Sequence, residues 1–408
     1  MATFNPRRFT RPDVLRTIGR AHLIAFLERF ESYLSEQGLM IPPAAGDTEI
    51  DFERLSTVLA SPAHNPPIEL VDALYFINDL SNDEALNALL DAAKEAGIEM
   101  EGEEHSPADV AVRVWLANPA LLEQQQARQY VHRPRSFEYF PMRDENRHVP
   151  EFKQPSPDTL RKLEGALDDW FIEKKRGRGC RIQPFPEKHR VLFLVSHGDP
   201  LRREGKLEDG AQSTVLYRPV KYDVVVYDMA IGELRINAAT VGEKKLYCRA
   251  FGKHLLGDPE FFGEADKYTL DPLRVDGEES LGCEGVSGIE SIHLVEIHYL
   301  RPGNPMETEI RKSKDIFAGL RNRGASMPAR PKILLAKFDV KFTNGKNPRR
   351  VTVTAHRASY SRDDDGDAVN QWLEARGFVK GRTSGEQHEK HGAMVEAKPV
   401  LVSAGQPG

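Results

Sequence analysis

Cysteine is scarce in this chain: its 408 residues include three, Cys180, Cys248 and Cys283. Odd in number and widely separated, they suit neither a disulfide framework nor a zinc ribbon. They read as reduced thiols, Cys248 as a buried one on a strand. Long apolar runs are missing too. No stretch approaches the roughly 18 consecutive apolar residues of a membrane span, and Arg7, Arg8 and Arg11 precede no apolar signal core. The expectation is an untargeted, cytoplasmic protein with no membrane partner.

A third absence concerns catalytic motifs. The chain has no G-x-x-x-x-G-K-[S/T], no G-x-G-x-x-G after a strand, no G-x-S-x-G and no C-x-x-C. Gly285-Val286-Ser287-Gly288 has the wrong spacing for a nucleophile elbow. These gaps weigh against nucleotide hydrolysis at a P-loop, a dinucleotide-dependent reaction and serine-hydrolase chemistry.

What is present is an ordinary globular composition, 40% hydrophobic and 29% charged, enough for a sizeable core and two or three domains. The first half has helical periodicity. Leu23, Phe26, Leu27, Phe30 and Leu34 line one face of a helix expected within Asp13 to Ser35. Further helices follow at Asp51–Leu59, from Pro67 through Ile77, and at Asp83–Ala96 with Gly97 as cap. Ser106-Pro107-Ala108-Asp109 fits a capping box, and Asn118-Pro119 repeats the start signal almost at once. The two helices so joined have helix-turn-helix spacing, the second offering Gln124, Gln125, Gln126 and Arg128. An ordinary helical hairpin is the stronger reading of the pair, and a solvated face fits those polar groups equally well.

Tyr130 to Met142 interleaves aromatics with His132, Arg133 and Arg135, a pattern for stacking bases or for gluing domains together. A helix opened by Ser156-Pro157 ends in the basic run Lys174, Lys175, Arg176, Gly177, Arg178, Gly179.

From Arg190 onward the rhythm changes to period two. Val191–Val195, Tyr217–Asp228, Glu233–Thr240 and Lys245–Ala250 are expected strands, with an exposed loop from His197 to Gly210. Ile292–Leu300 is a strand, Lys312–Leu320 a short helix, and Lys332–Lys341 with Arg349–His356 a hairpin turning near Asn344-Gly345. Asp365–Arg376 is a helix with Trp372 and Leu373 inward. The fold class is therefore α+β, a helical N-terminal domain followed by a mainly antiparallel β-rich region. The expected divisions are 1–150 acidic and all-helical, 151–180 a connecting helix and basic linker, 181–379 β-rich with short helices, and 380–408 a disordered tail.

A net charge of −6 conceals an asymmetry. Residues 1–110 hold twenty Asp and Glu against eight Lys and Arg, whereas 301–357 hold fourteen Lys and Arg against four acids. The leading expectation is a non-enzymatic binding or assembly component. A basic C-terminal face around Arg311, Lys312, Arg321, Arg323, Arg330, Arg349 and Arg350, with the Lys174, Lys175, Arg176 and Arg178 run, would meet nucleic acid or an acidic protein.

One alternative is a nuclease of the Asp…(Asp/Glu)-x-Lys type with Asp228, Glu243 and Lys245 on adjacent strands, using Mg or Mn. A second short match is Asp339 and Lys341 with Asp315. Another alternative is a scaffold subunit of a larger machine, such as a bacterial defence complex. No other cofactor or resident metal is expected. The acids from Asp363 to Asp367 fail as an EF-hand loop and read as helix caps. His388 and His391 are one residue short of a zinc-protease spacing, and His197, His254, His293 and His298 are candidates to converge in the sheet region.

Overall fold

The computed structural model describes residues 5–43, 48–62, 65–100, 105–132, 136–144, 148–208, 210–264, 266–301, 303, 306–360 and 365–380. Arg133, Arg135, Asp363, His388, His391 and residues 381–408 lie outside these. The chain divides into two compact units, Met1–Ala265 and Asp266–Gly408. The β-rich stretch expected over 181–379 is shared between them, one five-stranded sheet in each. The fold is α+β, with helices concentrated in the N-terminal half, and every sheet is antiparallel.

The first unit starts with α1 (Arg7–Thr10), α2 (Pro12–Leu15), α3 (Arg20–Glu28), α4 (Glu31–Glu36), α5 (Phe52–Ala60), α6 (Ile68–Leu80), α7 (Asp83–Glu95), α8 (Pro107–Ala117) and α9 (Pro119–Val131). The single helix expected within Asp13–Ser35 is interrupted. Phe30 leaves helical geometry at φ −122° to pack its ring on Phe26 and Trp115, centroids 5.5 and 5.9 Å away, yet the expected face is buried throughout.

Ser106 caps α8 through the Asp109 amide at 3.0 Å. Asp109 does not reach back as a capping box would. Its carboxylate accepts from the Gly19 amide at 2.8 Å and lies 3.1 Å from the His22 ring, which ties the start of α3 to α8.

Asn118 both ends α8 and caps α9. Contrary to a solvated or groove-reading face, α9 buries Gln125 and Gln126. Gln126 donates to Asp79 at 3.0 Å. Its Ala127 and Val131 pack on Leu192, Leu194, Val224 and Val226. The helix is occupied in joining bundle to sheet.

That sheet is built from β1 (Glu138–Phe140), then, after α10 (Pro157–Glu173), β2 (Arg181–Pro186), β3 (Arg190–Gly198), β4 (Arg202–Glu208), β5 (Ala211–Tyr217), β6 (Val220–Asp228) and β7 (Glu233–Asn237), followed by α11 (Val241–Leu256). Its strand order is β1-β7-β6-β3-β2, with β4 and β5 forming a separate two-stranded ribbon. The period-two alternation sends Val191, Phe193, Val195, Val225 and Tyr227 against α10 and α11, and the intervening residues against α9.

Two expectations fail here. Lys245–Ala250 is not a strand but the middle of α11, because Thr240 and Glu243 form a true capping box and Gly257, at φ 74°, supplies the left-handed stop. The segment expected as an exposed loop from His197 to Gly210 is largely strand, the end of β3 and the whole of β4.

The second unit contains α12 (Pro272–Val275), β8 (Ile289–Arg301), β9 (Glu307–Lys312), α13 (Ile316–Arg321), β10 (Lys332–Phe342), β11 (Arg349–Thr354), β12 (Ala358–Ser359) and α14 (Gly366–Ala375). Its sheet has the order β12-β11-β10-β8-β9. Helix α13 starts later than expected, since Lys312 belongs to β9. The β10–β11 hairpin has the expected alternation from Ala336 to Phe342, but a register shift between Ile333 and Leu335 buries Ile333 instead of Leu334.

Trp372 anchors this core, its ring 5.0 Å from Phe338 and 5.2 Å from Phe378 and its Nε1 donating to the Ser280 carbonyl at 3.2 Å. Trp372→Ala leaves a large cavity and is expected to cost about 3–5 kcal/mol. Urea unfolding followed by circular dichroism checks this; an unchanged midpoint for the second unit would contradict it.

Candidate functional site

Four segments of the first unit place their polar side chains at one buried point. On β3 and β6, His197 faces Lys221 and Val195 faces Asp223 in the ladder. Alternation therefore sends Lys221 and Asp223 to the same side of the sheet, beneath α10 and α11. Glu243 is the third residue of α11, held there by the Thr240 cap, and Tyr247 follows one turn later. Arg176 enters from the turn after α10.

His197, Asp223 and Glu243 are the described residues best placed to share a cation, with one ligand atom from each lying within 4.8 Å of the others. His197 Nε2 is 3.1 Å from Asp223 Oδ2, which also accepts from the Tyr247 hydroxyl at 2.7 Å. His197 Nδ1 is 2.9 Å from the Gly198 carbonyl, so both ring nitrogens face acceptors. Phe171 stacks on the imidazole at 4.1 Å with 14° between planes. A side chain at 198 would stand 2.2 Å from the Arg176 carbonyl, so this close approach requires glycine.

The cation position is already filled by the protein. Lys221 Nζ lies 2.7 Å from Glu243 Oε1 and 3.2 Å from Asp223 Oδ1, bridging the two carboxylates as a metal would. Arg176 pairs with the same Glu243 oxygen, and the Thr240 amide donates to the other at 2.7 Å. Burial alone would raise the Glu243 carboxyl. The Lys221 and Arg176 hydrogen bonds, the Thr240 amide and the Lys221 charge overcome it and hold the group down at about 2. Burial, and then the adjacent Asp223 charge, push the Tyr247 hydroxyl well up, so it remains a donor.

With each carboxylate oxygen supplied by a donor, the cluster acts as an electrostatic clamp on β3, β6, α10 and α11. A divalent ion would have to replace the Lys221 ammonium, the most open of the three inner nitrogen-bearing side chains, at 25% exposure against 13% for Arg176 and 1% for His197.

Asp228, Glu243 and Lys245 are not brought together. Asp228 sits at the far end of β6 and pairs with Arg235 at 2.8 Å, while Lys245 points outward from α11 to Glu264 at 3.2 Å. The strand that was to carry Glu243 and Lys245 is a helix, whose 100° step separates residues that alternation would align. In the second match Asp339 pairs with Arg350, Lys341 donates to the Lys346 carbonyl at 2.8 Å, and Asp315 bonds His293.

The basic run after α10 is also divided. Lys174 pairs with Glu173 and lies over Trp170, Lys175 and Arg178 are exposed, and Arg176 turns inward.

In the second unit five of the seven expected face cations have a carboxylate partner: Arg311 with Glu309, Lys312 with Glu296, Arg321 with Glu278, Arg349 with Asp365 and Arg350 with Asp339. Three of these acids, Glu278, Glu296 and Asp365, lie outside 301–357, which is why that stretch alone looks so basic. Asp365 is fully buried on Arg349 rather than capping α14.

The four histidines do not converge. His293 and His298 are in the other unit, on Asp315 and Glu296, and His254 lies on α11. Cys180 and Cys248 are buried, Cys248 on α11 rather than on a strand, and burial raises both thiols. His197, Asp223 and Lys221 were not linked to Glu243 in the sequence. The Thr240-x-x-Glu243 start signal would have placed Glu243 on a helix, but no local pattern indicates which strand it meets. The chain matches no protein-family model and no curated protein.

Glu243→Gln leaves Lys221 and Arg176 facing a neutral amide and is expected to cost about 3–5 kcal/mol at neutral pH. Because the folded carboxyl titrates near 2, against 4.5 when unperturbed, its contribution is present above about pH 4.5 and is lost as pH falls toward 2. The stability gap between native protein and Glu243→Gln should therefore close over that interval. Urea midpoints at pH 7, 4 and 2 measure it, and an equal gap at all three would contradict the clamp.

Proposed function

We propose that the chain is a binding and assembly component, and that its docking element is the β4–β5 ribbon rather than the basic C-terminal stretch. The observation behind this reading is the ribbon's exposure. From Arg202 to Leu216 its described side chains are open to solvent apart from half-buried Glu204, and neither strand pairs with a third among the described residues. A lone two-stranded ribbon is only marginally stable in water, and both of its edges present unpaired backbone groups.

The ribbon grows out of β3 and β6. Asp199, Pro200 and Leu201 oppose only Arg218 and Pro219, between the pairs Gly198–Val220 and Arg202–Tyr217. One strand therefore carries an extra residue, the arrangement of a β-bulge, which bends and twists a pair of strands.

Register puts Arg203, Gly205, Leu207, Gln212, Thr214 and Leu216 on one face. Leu207 is 73% and Leu216 62% exposed, with Leu201 and Val220 open at the base. Arg202 pairs with Asp199 at 2.7 Å and shares its face with Glu204, and Arg203 is the single charge on the leucine face, so no face is uniformly cationic. Apolar tips with mixed charge suit a protein partner better than a phosphate backbone. A scaffold role within a larger assembly belongs to the same reading, and a nuclease is not favoured by where Asp228, Glu243 and Lys245 lie.

Leu207→Asp with Leu216→Asp is expected to abolish co-purification of a stoichiometric partner with the full chain, or its self-association in sedimentation. The urea midpoint should change by no more than about 0.5 kcal/mol equivalent, because both sites are exposed. An unchanged complex mass in the double variant would remove the ribbon from the account.

A further inference from the structure

The outer surface of α11 has a feature the clamp does not use. Lys245, Arg249 and Lys253 recur every fourth residue and form one exposed row, successive members about 6 Å apart along the axis. Beside the row, between α10 and α11, lies a cavity of about 380 Å³. Its floor and wall are apolar, with Trp170, Ala166, Leu246, Ala250 and Pro259. Its rim is Lys245, Arg249, Lys253 and His254, and among the described residues no carboxylate lines it. Lys245 is partly satisfied by Glu264, but Arg249 and Lys253 form no ion pair among the described residues.

His254 also borders the cavity. Its Nε2 is shielded from solvent and has no hydrogen-bond partner, a costly condition for a polar atom. Burial first, then the charges of Lys253 and Lys162, lowers its affinity for a proton. The neighbouring cavity on the other side of the row contrasts with this one. There Glu260 and Glu264 enter the lining, and Arg143 is paired with Glu260 at 2.8 Å.

A cationic rim over an apolar floor that includes the Trp170 ring calls for a ligand that is anionic at one end and flat and apolar at the other. An acidic peptide would use the rim and leave the floor empty, whereas a fatty or aromatic acid would need one cation rather than two. We propose that this cavity binds a nucleoside phosphate, with its phosphate on Arg249 and Lys253 and its base against Trp170. The proposal is independent of the ribbon, which lies on β4 and β5.

The test uses the full chain with adenosine 5′-monophosphate as probe, and adenosine and inorganic phosphate as its two halves. Of the three tryptophans, Trp115 and Trp372 are buried in other cores, so fluorescence quenching on binding reports Trp170. The expected result is saturable binding with Kd below roughly 1 mM at low salt. It should be at least about tenfold weaker in Arg249→Glu/Lys253→Glu, two exposed positions whose circular dichroism should match the native protein. Quenching should disappear in Trp170→Phe while calorimetric binding persists in weakened form, and each half alone should bind less tightly than the whole.

A short single-stranded oligonucleotide that displaces the probe identifies the natural source as a strand, and one that does not identifies a free nucleotide. Either outcome supports the site. Absence of saturation, or binding undiminished by the charge reversal, overturns it.

Discussion

The ammonium of Lys221, held between the carboxylates of Glu243 and Asp223, is the contact on which the first unit's architecture depends most. Burying two carboxylates is costly, and the cost is met only because Lys221, Arg176, Tyr247, His197 and the Thr240 amide together occupy their oxygens. Such a network is demanding in geometry. It sets the rotation of α11 about its axis, the height of β6 against β3 and the path of the chain leaving α10. Hydrophobic packing is more permissive: Leu163, Leu167, Phe171, Phe251 and Phe193 would tolerate small slips that the ion network does not.

Both faces of that sheet are thereby committed. One lies under α10 and α11 and the other under α9, so strands β3 and β6 are buried on both sides along much of their length and read as nearly continuous apolar runs. Where the helices stop covering them, the same two strands continue past a bulge as the exposed ribbon. The change from buried to open happens within a few residues of one hairpin. The rigid sheet thus serves as a base from which an unprotected element projects, and the outer surface of α11, freed by the clamp beneath it, keeps its own row of cations.

Much of the helical region was legible in the sequence because its signals are local. Ser106, Asn118 and Ser156 each accept from an amide three residues on, Pro107, Pro119 and Pro157 each sit in a first turn, and the helices begin where those residues stand. The β10–β11 hairpin was equally readable, since period-two alternation on both strands converges on a glycine turn. The α11 segment was misread even though Thr240 and Glu243 spelled out its start, because Leu246, Tyr247 and Cys248 resemble a short strand when the cap is overlooked. Charge was the least transferable signal. Counting over a stretch of chain assumes that neighbours in sequence neutralise one another, but Glu278, Glu296 and Asp365 reach their partners Arg321, Lys312 and Arg349 from outside the counted segment.

By itself, the sequence determined most of the N-terminal helices and the β10–β11 hairpin, and which side of them is apolar, because caps, turns and periodicity act over three or four residues. Only the tertiary structure decided that His197, Lys221, Asp223 and Glu243 meet, that Arg176 points inward while its basic neighbours point out, that β4 and β5 are left uncovered by the described residues, and that Arg249 and Lys253 border a cavity with Trp170. Each of these depends on which surfaces are brought within a few ångströms by packing across tens of residues. Coulomb attraction and burial reward that proximity regardless of the sequence distance between the groups.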